Sequence, residues 1–262
     1  MIVSLDDGEI LADLPRDAAT AARVVRIEGR ADLWSYAHPL LALTEISGSA
    51  DLEGYAHALP SLTAIGGDAD LRGYAHELPA LTEISGSADL EGYAHELPAL
   101  TRIGGSAYLR GYAHALPSLT AIGWDADLRG YAHALPTLAL IGGSAFLRDY
   151  AHELPALTRI GGSADLEGYA HELPALTEIG GWAFLRDYAH MPHWIGYIGD
   201  DRRGYSFWAD LARGRVRAGC RSFTPEEALA HWGPGGPSDR PDCLALAKQA
   251  IVLIERSKEV WT

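Results

Sequence analysis

The stretch "LRGYAHELPALTEI", Leu71–Ile84, decides the fold, because close copies of it recur along most of this 262-residue chain. The tripeptide Tyr-Ala-His returns at one fixed interval, and its copies begin at Tyr36, Tyr55, Tyr74, Tyr93, Tyr112, Tyr131, Tyr150, Tyr169 and Tyr188. A fixed period of this kind indicates repeated structural units that bury their apolar sides by stacking on one another.

The unit reads S-A-D-L-(E/R)-G-Y-A-H-(E/A)-L-P-(A/S)-L-T-x-I-G-G. Proline in the Leu-Pro step, as at Pro79, and glycine pairs such as Gly66-Gly67 interrupt any helix that so short a unit could form. The segment "SADLEGYA" instead alternates and places Ala50 and Leu52 on one face. We therefore predict one short strand per unit, followed by a Leu-Pro corner and the segment "LTxI".

The predicted fold class is mainly β: a parallel β-solenoid, or leucine-rich-repeat-like rod, of about nine 19-residue coils with a small α+β C-terminal cap. At about 4.8 Å per coil, nine coils give a rod of roughly 43 Å. We assign residues 1–29 to an N-terminal cap with a short helix and a first strand. Residues 30–193 are assigned to the solenoid, and residues 194–262 to a C-terminal module.

The C-terminal module is predicted to be a hairpin followed by two helices. Its strands are expected at about Tyr205–Leu211 and Arg215–Cys220. Thr224-Pro225 is typical of a helix start, with the threonine as N-cap and the proline in the first turn. Cys243–Lys258 has the pattern of an amphipathic helix. We expect this module to cover the open end of the solenoid.

The repeat "LPALTEISGSADLEGYAHELPAL", Leu78–Leu100, resembles a short leucine-rich repeat of the receptor L-domain kind. The resemblance covers residues 30–190 and implies an architecture rather than one activity. The period is shorter than the usual 20–29 residues. In addition, Tyr55 and its equivalents stand where that family places a buried asparagine, so we expect a straighter rod than the usual horseshoe.

The segment "IGYIGDDRRGYSFWADLARGRVRAGCRSFTPEEALAHW", which begins at Ile195, resembles a terminal module of bacterial and phage repeat proteins of unknown function. The resemblance implies a phage or bacterial setting for the chain.

Charge is distributed unevenly along the sequence, whose net charge is −14. Residues 29–191 hold 20 acids and eight arginines, a net charge of −12, whereas residues 192–262 hold nine acids and ten bases. The sequence has no apolar run long enough for a membrane span and no secretory signal, so we expect a cytoplasmic protein that does not contact membranes. Cys220 and Cys243 lack zinc-type spacing, and we expect two free thiols rather than a disulfide.

The copies serve as their own comparison set, and their tyrosines and histidines hardly change. An interior ladder or a corner of the solenoid requires the same side chain in each coil. We therefore interpret the tyrosines and histidines as structural residues. The tyrosine rings are expected to stack on one another, and the histidines to form hydrogen bonds with backbone groups. The alternative is a metal array, which the repeat of about 4.8 Å disfavours because neighbouring imidazoles would be too far apart to share an ion. The predicted structural ladder comprises Tyr55, His57, Tyr74, His76, Tyr93, His95, Tyr112, His114, Tyr131 and His133.

Other positions vary between copies and are predicted to point outward. Tyr108, Phe146 and Phe184 replace an exposed aspartate every second coil, and Trp124 and Trp182 occupy turn positions. Exposed aromatic residues next to arginines are typical of protein interfaces, although opposite charges in a ladder also pair with one another. The predicted partner-binding residues are Arg72, Tyr108, Arg110, Trp124, Arg129, Phe146, Arg148, Trp182, Phe184 and Arg186.

No catalytic, phosphate-binding or metal-binding motif stands out, so we expect a protein that is not an enzyme and uses no cofactor or metal. The charge of the rod argues against direct nucleic-acid binding. We hypothesise a scaffold that binds a protein partner, as a phage or bacterial inhibitor or anti-defence protein would bind a host protein. The alternatives are an acidic rod that mimics DNA and occupies a DNA-binding protein, and a purely structural or self-assembling repeat protein, since self-association is compatible with the charge pattern.

Overall fold

The computed structural model describes residues 1–93, 95–112, 114–167, 169, 171, 173–181, 183–184, 195–211, 213–219 and 221–260. The chain divides into two compact units, Met1–His190 and Met191–Thr262. The first unit is a parallel β-solenoid, which confirms the predicted fold class.

One sheet of the solenoid is formed by the "T-x-I" segments of successive coils. Its parallel strands pair in register with a shift of one repeat, so that Ile65 aligns with Ile46 and Ile84. These strands are β3 (Val24–Glu28), β5 (Glu45–Ile46), β7 (Ala64–Ile65), β9 (Glu83–Ile84), β11 (Arg102–Ile103), β13 (Ala121–Ile122), β15 (Leu140–Ile141), β17 (Arg159–Ile160) and β19 (Glu178–Ile179).

The second sheet is formed by the "A-D" segments, which follow the glycine turns. It has nine parallel strands in the order in which they occur in the sequence. They are β4 (Ala31–Asp32), β6 (Ala50–Asp51), β8 (Ala69–Asp70), β10 (Ala88–Asp89), β12 (Ala107–Tyr108), β14 (Ala126–Asp127), β16 (Ala145–Phe146), β18 (Ala164–Asp165) and β20 (Ala183–Phe184).

The prediction of one strand per coil was therefore wrong, because each coil contributes two strands of two residues each. The glycine pair separates the two strands of a coil. Each strand forms hydrogen bonds with the equivalent strand of the next coil, so the coils build two separate sheets. Two residues are too few to show the alternation on which strand prediction depends. The hydrophobic pattern identified only the "A-D-L" segment.

Six side chains per coil form the solenoid core. In one representative coil they are Ile65, Ala69, Leu71, Tyr74, Leu78 and Leu81, and none of these is more than 2% exposed. Because the coils from Ile27 to Leu176 contribute the same six residue types, each of their layers packs against a copy of itself. Stability thus comes from stacking between coils, as expected for a solenoid.

The tyrosine rings form a continuous stack inside this core. The centroids of Tyr93 and Tyr112 are 6.1 Å apart with ring planes 10° from parallel, and Tyr112 and Tyr131 are 6.0 Å and 4°. From Tyr55 to Tyr169, each phenol also donates a hydrogen bond to the histidine carbonyl of the preceding coil, 2.8 Å from Tyr112 Oη to His95 O. The stack therefore combines offset ring contacts with a satisfied buried hydroxyl.

The histidines connect neighbouring coils at the same corner. His57 Nε2 lies 2.9 Å from the carbonyl oxygen of Ala37, and His76 Nε2 lies 2.8 Å from that of Ala56. A carbonyl oxygen only accepts, so Nε2 must carry the hydrogen in each case. Each ring also packs against its own tyrosine, 5.6 Å between the ring centroids of Tyr55 and His57.

A threonine ladder runs beside the first sheet. The backbone N–H and the hydroxyl of Thr63 both donate to the carbonyl oxygen of Thr44, at 2.8 and 2.9 Å. Thr82 repeats this arrangement one coil later with Thr63 as acceptor. Tyrosine, histidine and threonine therefore all donate toward the preceding coil.

The N-terminal segment supplies the acceptors that the first coil needs. β1 (Ile2–Leu5) pairs antiparallel with β3 and with β2 (Ile10–Leu11), and α1 (Ala18–Ala21) starts at an Asp17 N-cap. Tyr36 Oη donates to the carbonyl oxygen of Pro15 at 2.9 Å, and His38 Nε2 to that of Arg16 at 3.0 Å. This segment contains the predicted helix and strand, and also a hairpin that was not predicted.

The second unit is a four-stranded antiparallel sheet with two helices. Its strands, in spatial order, are β21 (Ile195–Asp200), β22 (Ser206–Asp210), β23 (Arg215–Ala218) and β24 (Arg221–Phe223), followed by α2 (Pro225–Trp232) and α3 (Pro241–Val260). The predicted hairpin is the central pair, and two outer strands were missed. Those strands were missed because β21 contains two glycines and β24 has only three residues, which gives little alternation.

Helix α2 begins as the sequence predicts. Thr224 Oγ1 accepts from Glu227 N at 3.1 Å, and Glu227 Oε2 accepts from Thr224 N at 2.7 Å, a capping box with Pro225 in the first turn. The core of this unit lies between the sheet and the helices and includes Phe207 and Trp232, whose rings are 5.0 Å apart.

From Gly54 to Asp149, the turn after each strand of the second sheet holds a residue with a positive φ angle. Gly111 and Gly130 have φ angles of 70° and 66° there, whereas Asp149 adopts 61° at the equivalent position. An L-residue is strained in this conformation, although aspartate tolerates it better than most. We expect Asp149→Gly to raise the free energy of unfolding by about 1 kcal/mol and Gly130→Asp to lower it by a similar amount. Denaturant unfolding of both variants measures this, and two changes of the same sign would contradict it.

Candidate functional site

The outer face of the second sheet carries two columns of side chains. The first column is the second residue of each strand, and strand register aligns Asp70, Asp89, Tyr108, Asp127 and Phe146 along it. The second column lies two residues further along each coil. The leucine between the columns is fully buried in the coils from Leu33 to Leu166, so both columns point outward from a fixed frame.

Aromatic side chains interrupt the aspartates of the first column. Tyr108 is 48% exposed and Phe146 is 36% exposed. Asp127 lies between them in the ladder, so two coil steps of about 4.8 Å each separate the two rings. Phe184 lies two coils after Phe146, and its backbone pairs with that of Asp165 in the coil between them. Trp182 and Arg186 lie outside the described residues.

Two arginines of the second column are bound to the aspartate of their own coil. Arg129 donates from Nε and Nη2 to Asp127 at 2.8 and 2.5 Å, and Arg72 donates to Asp70 at 2.9 and 2.6 Å. These hydrogen bonds lower the pKa of Asp70 and Asp127. The bidentate geometry fixes each guanidinium group beside the aspartate of its own coil.

Where an aromatic residue replaces the aspartate, the arginine loses this partner. Arg148 turns forward to the next coil and contacts Glu167 at 2.5 Å and Asp165 at 3.4 Å. Arg110, beside Tyr108, makes no ion pair within 4 Å with any residue that the structure describes. Tyr108 and Arg110 are thus an exposed ring and a cation that is not held by a carboxylate.

Phe146 and Arg129 form a contact between neighbouring coils. The guanidinium carbon of Arg129 lies 5.6 Å from the centroid of the Phe146 ring, within the range of a cation–π interaction. Because Arg129 is also held by Asp127, the ring and both charges form one ordered group.

Exposed tryptophans flank this face. Trp124 is 68% exposed at a turn position that holds glycine in neighbouring coils. Trp34 is 65% exposed and occupies the second column in the first coil, where Arg72 stands two coils later. Trp34 was not among the predicted partner-binding residues, although its place two residues before Tyr36 marks it as a variable, outward position.

The acidic part of the same face contains a tight carboxylate group. Oxygen atoms of Asp51, Glu53 and Asp70 lie within 4.8 Å of one another, the only such group of three potential metal ligands among the described residues. Arg72 and Arg30 lie at its edges, 2.6 Å from Asp70 and 3.7 Å from Asp51. Its three carboxylates meet two arginines, so the group keeps a net negative charge.

Four described arginines of the second unit form ion pairs within that unit: Arg213, Arg215, Arg217 and Arg240. Arg217 Nε lies 3.2 Å from Asp210, which is 1% exposed, and burial lowers the pKa of Arg217. Arg215 donates to Ser222 and contacts Glu227. Cys243 is a buried free thiol whose pKa burial raises to about 11, and Cys220 lies outside the described residues.

Comparisons with protein-family models, with curated proteins and with solved structures give no match to this chain. In the part of the chain that the structure describes, no helix combines the length and the apolar composition that crossing a membrane requires. The geometry of the second sheet therefore carries the functional argument alone.

Proposed function

We propose that the protein is a non-enzymatic scaffold that binds a protein partner through the outer face of its second sheet. One observation carries the proposal: exposed Tyr108 and Phe146 stand with arginines on a frame whose buried side chains repeat from coil to coil. Aromatic residues and arginine dominate the binding energy of protein interfaces, and a rigid frame reduces the entropy lost on binding.

The resemblance of the repeats to leucine-rich repeats of the receptor L-domain kind supports a binding role. The second unit resembles terminal modules of bacterial and phage repeat proteins, which supports a cytoplasmic inhibitor or anti-defence protein whose target is a host protein. Both inferences rest on similarity of sequence pattern, so they are part of the proposal.

A DNA mimic is the alternative that the acidic column favours. Asp32, Asp51, Asp70 and Asp89 align in register in consecutive coils. At one aspartate per step of about 4.8 Å this column carries charge more sparsely than a duplex, which has one charge per ~1.7 Å. Arg72 reduces the charge further by pairing with Asp70. Competition by duplex DNA for the captured partner would favour the mimic.

Removal of a single coil changes the spacing of the exposed rings and removes one aspartate–arginine pair, Asp127 and Arg129, but keeps both aromatic residues. Deleting residues 126–144 removes one complete repeat and brings Tyr108 and Phe146 into adjacent coils. Because each coil packs on its neighbours in the same way, we expect the shortened solenoid to fold. Partner binding should fall at least tenfold, since the rings no longer match the partner.

A matched deletion of residues 69–87 also removes one coil but leaves the distance between Tyr108 and Phe146 unchanged. It removes Asp70 and Arg72 together, so the net charge of the face is preserved. Affinity capture from host lysate with mass spectrometry should recover the same partner with this variant as with the full chain. Capture that survives deletion of residues 126–144, or survives Tyr108→Ala with Phe146→Ala, would exclude this face.

A further inference from the structure

The outer face of the second sheet is divided into two halves of different charge. We define the acidic half by Asp32, Asp51, Glu53, Asp70, Asp89 and Glu91, among which Arg72 is the only cation in the two columns. We define the aromatic half by Tyr108, Arg110, Arg129, Phe146 and Arg148. In the aromatic half three arginines balance Asp127, Asp165 and Glu167.

Ion pairing accentuates this division. In the aromatic half, Arg129 forms an ion pair with Asp127, and Arg148 forms ion pairs with Asp165 and Glu167. In the acidic half, Arg72 contacts Asp70, Asp89 and Glu53, at 2.6, 3.5 and 3.9 Å, and Arg30 contacts Asp51 at 3.7 Å. Two arginines thus face six carboxylates. One half therefore retains a net negative charge and the other presents rings with neutralised charges.

From this division we infer that the face binds an amphipathic α-helix of the partner, laid along the column axis with basic turns over the acidic half and apolar turns over the aromatic half. The inference rests on the proposed function and specifies the chemistry of the partner. The charge of the acidic half selects basic side chains, and a ring beside Arg129 selects apolar ones.

The repeat distance favours a helix over an extended strand. A helix rises about 5.4 Å per turn and the coils repeat at about 4.8 Å, so the helix drifts by about 0.6 Å per coil and by about 3 Å over five coil steps. Side chains on one side of a strand repeat at about 6.6 Å, so a strand drifts by about 9 Å over the same five steps. From Asp51 to Phe146 is five coil steps, about 24 Å, or a helix of about 16 residues.

The two halves are expected to contribute differently to binding. Exposed charges contribute little affinity but steer association and orient the partner, so the acidic half should determine the association rate. Desolvated rings slow dissociation, so the aromatic half should determine the dissociation rate.

Synthetic peptides of about 18 residues test this inference. One peptide carries lysines on one face of its first two turns and leucines on the same face of its last two turns. A control peptide has the same composition with lysine and leucine interleaved along that face. A third peptide is the first with a central proline, which breaks the helix.

We expect the segregated peptide to bind the full chain about tenfold more tightly than the interleaved or the proline peptide. Asp51→Asn with Glu53→Gln should slow association severalfold at low salt and leave dissociation unchanged. The fold is retained in this variant, because the amide oxygen introduced at position 51 still accepts from the backbone N–H of position 53, as Asp51 Oδ1 does. Tyr108→Ala should accelerate dissociation about tenfold.

Equal binding of the three peptides, or binding of none, overturns the inference. If the proline peptide binds as well as the segregated one, the occupant is extended rather than helical, and the inference is wrong. The proposed function fails separately, if the variant that lacks residues 126–144 captures the partner as well as the full chain does. If this variant loses the partner and none of the peptides binds, the face binds a protein but its occupant is not such a helix.

Discussion

Alkaline pH is expected to unfold the solenoid abruptly between about pH 10 and pH 12. Six tyrosines of the stack are no more than 2% exposed, and burial raises the pKa of each phenol well above its usual value: Tyr55, Tyr74, Tyr93, Tyr112, Tyr131 and Tyr150. A group whose pKa is raised by folding stabilises the fold fully below its unfolded pKa of about 10. That stabilisation is lost as the pH rises above this value.

The size of the effect follows from the number of phenols. Each one lowers the free energy of unfolding by about 1.4 kcal/mol per pH unit above 10, so six lower it by about 8 kcal/mol per unit. This is comparable with the whole stability of a typical domain, about 5–15 kcal/mol. Circular dichroism and phenolate absorbance, recorded across the pH range, should change together in one narrow transition.

The double variant Tyr112→Phe with Tyr131→Phe provides the control. It retains both rings but removes two of the six protons, so the dependence of stability on pH should fall by a third. A gradual rise of phenolate absorbance near pH 10, with the circular dichroism signal unchanged, would show that the phenols ionise inside the folded solenoid.

Truncation of a single ring in the stack should be the most damaging point substitution. Tyr112 is 1% exposed, lies 6.1 Å from Tyr93 and 6.0 Å from Tyr131, and donates to His95 O. Tyr112→Ala leaves a cavity between two rings and an unsatisfied carbonyl. We expect a loss of about 3–5 kcal/mol in denaturant unfolding.

Two variants separate packing from hydrogen bonding and from exposure. Tyr112→Phe keeps the ring and loses only the hydroxyl, so we expect a cost of about 1 kcal/mol. Tyr108→Ala alters an exposed ring of the same coil and should change stability by less than about 0.5 kcal/mol. If Tyr112→Ala cost no more than Tyr108→Ala, the tyrosines would not be the frame of the solenoid.

The repeat could be predicted from the sequence because its period is visible without any knowledge of contacts. Inward and outward positions were also predictable, since Leu71 and Tyr74 recur while the position of Arg72 varies. The second strand of each coil could not be predicted. A two-residue strand such as Ala64–Ile65 is defined by the neighbouring coil and not by its own pattern.

The residue types of the candidate face could be predicted from the sequence, but their pairing could not. Arg72, Arg110, Arg129 and Arg148 occupy equivalent positions, yet Arg129 holds its own aspartate while Arg148 reaches into the next coil. The difference depends on whether aspartate or an aromatic residue precedes the arginine by two positions. Only side-chain geometry shows that Arg110 makes neither contact among the described residues.

The direction of the hydrogen bonds between coils has a consequence for biosynthesis. Tyrosine, histidine and threonine donate to carbonyl groups of the coil made before them, and the first coil donates to Pro15 and Arg16. When a new coil leaves the ribosome, the acceptors of these side-chain hydrogen bonds are already in place on the nascent chain. The backbone of the second sheet pairs in the opposite sense, since Ala50 N donates to Asp68 O of the coil made after it. Each new coil therefore satisfies open groups of the coil before it as well as its own, so the solenoid can grow coil by coil during translation from its N-terminal segment.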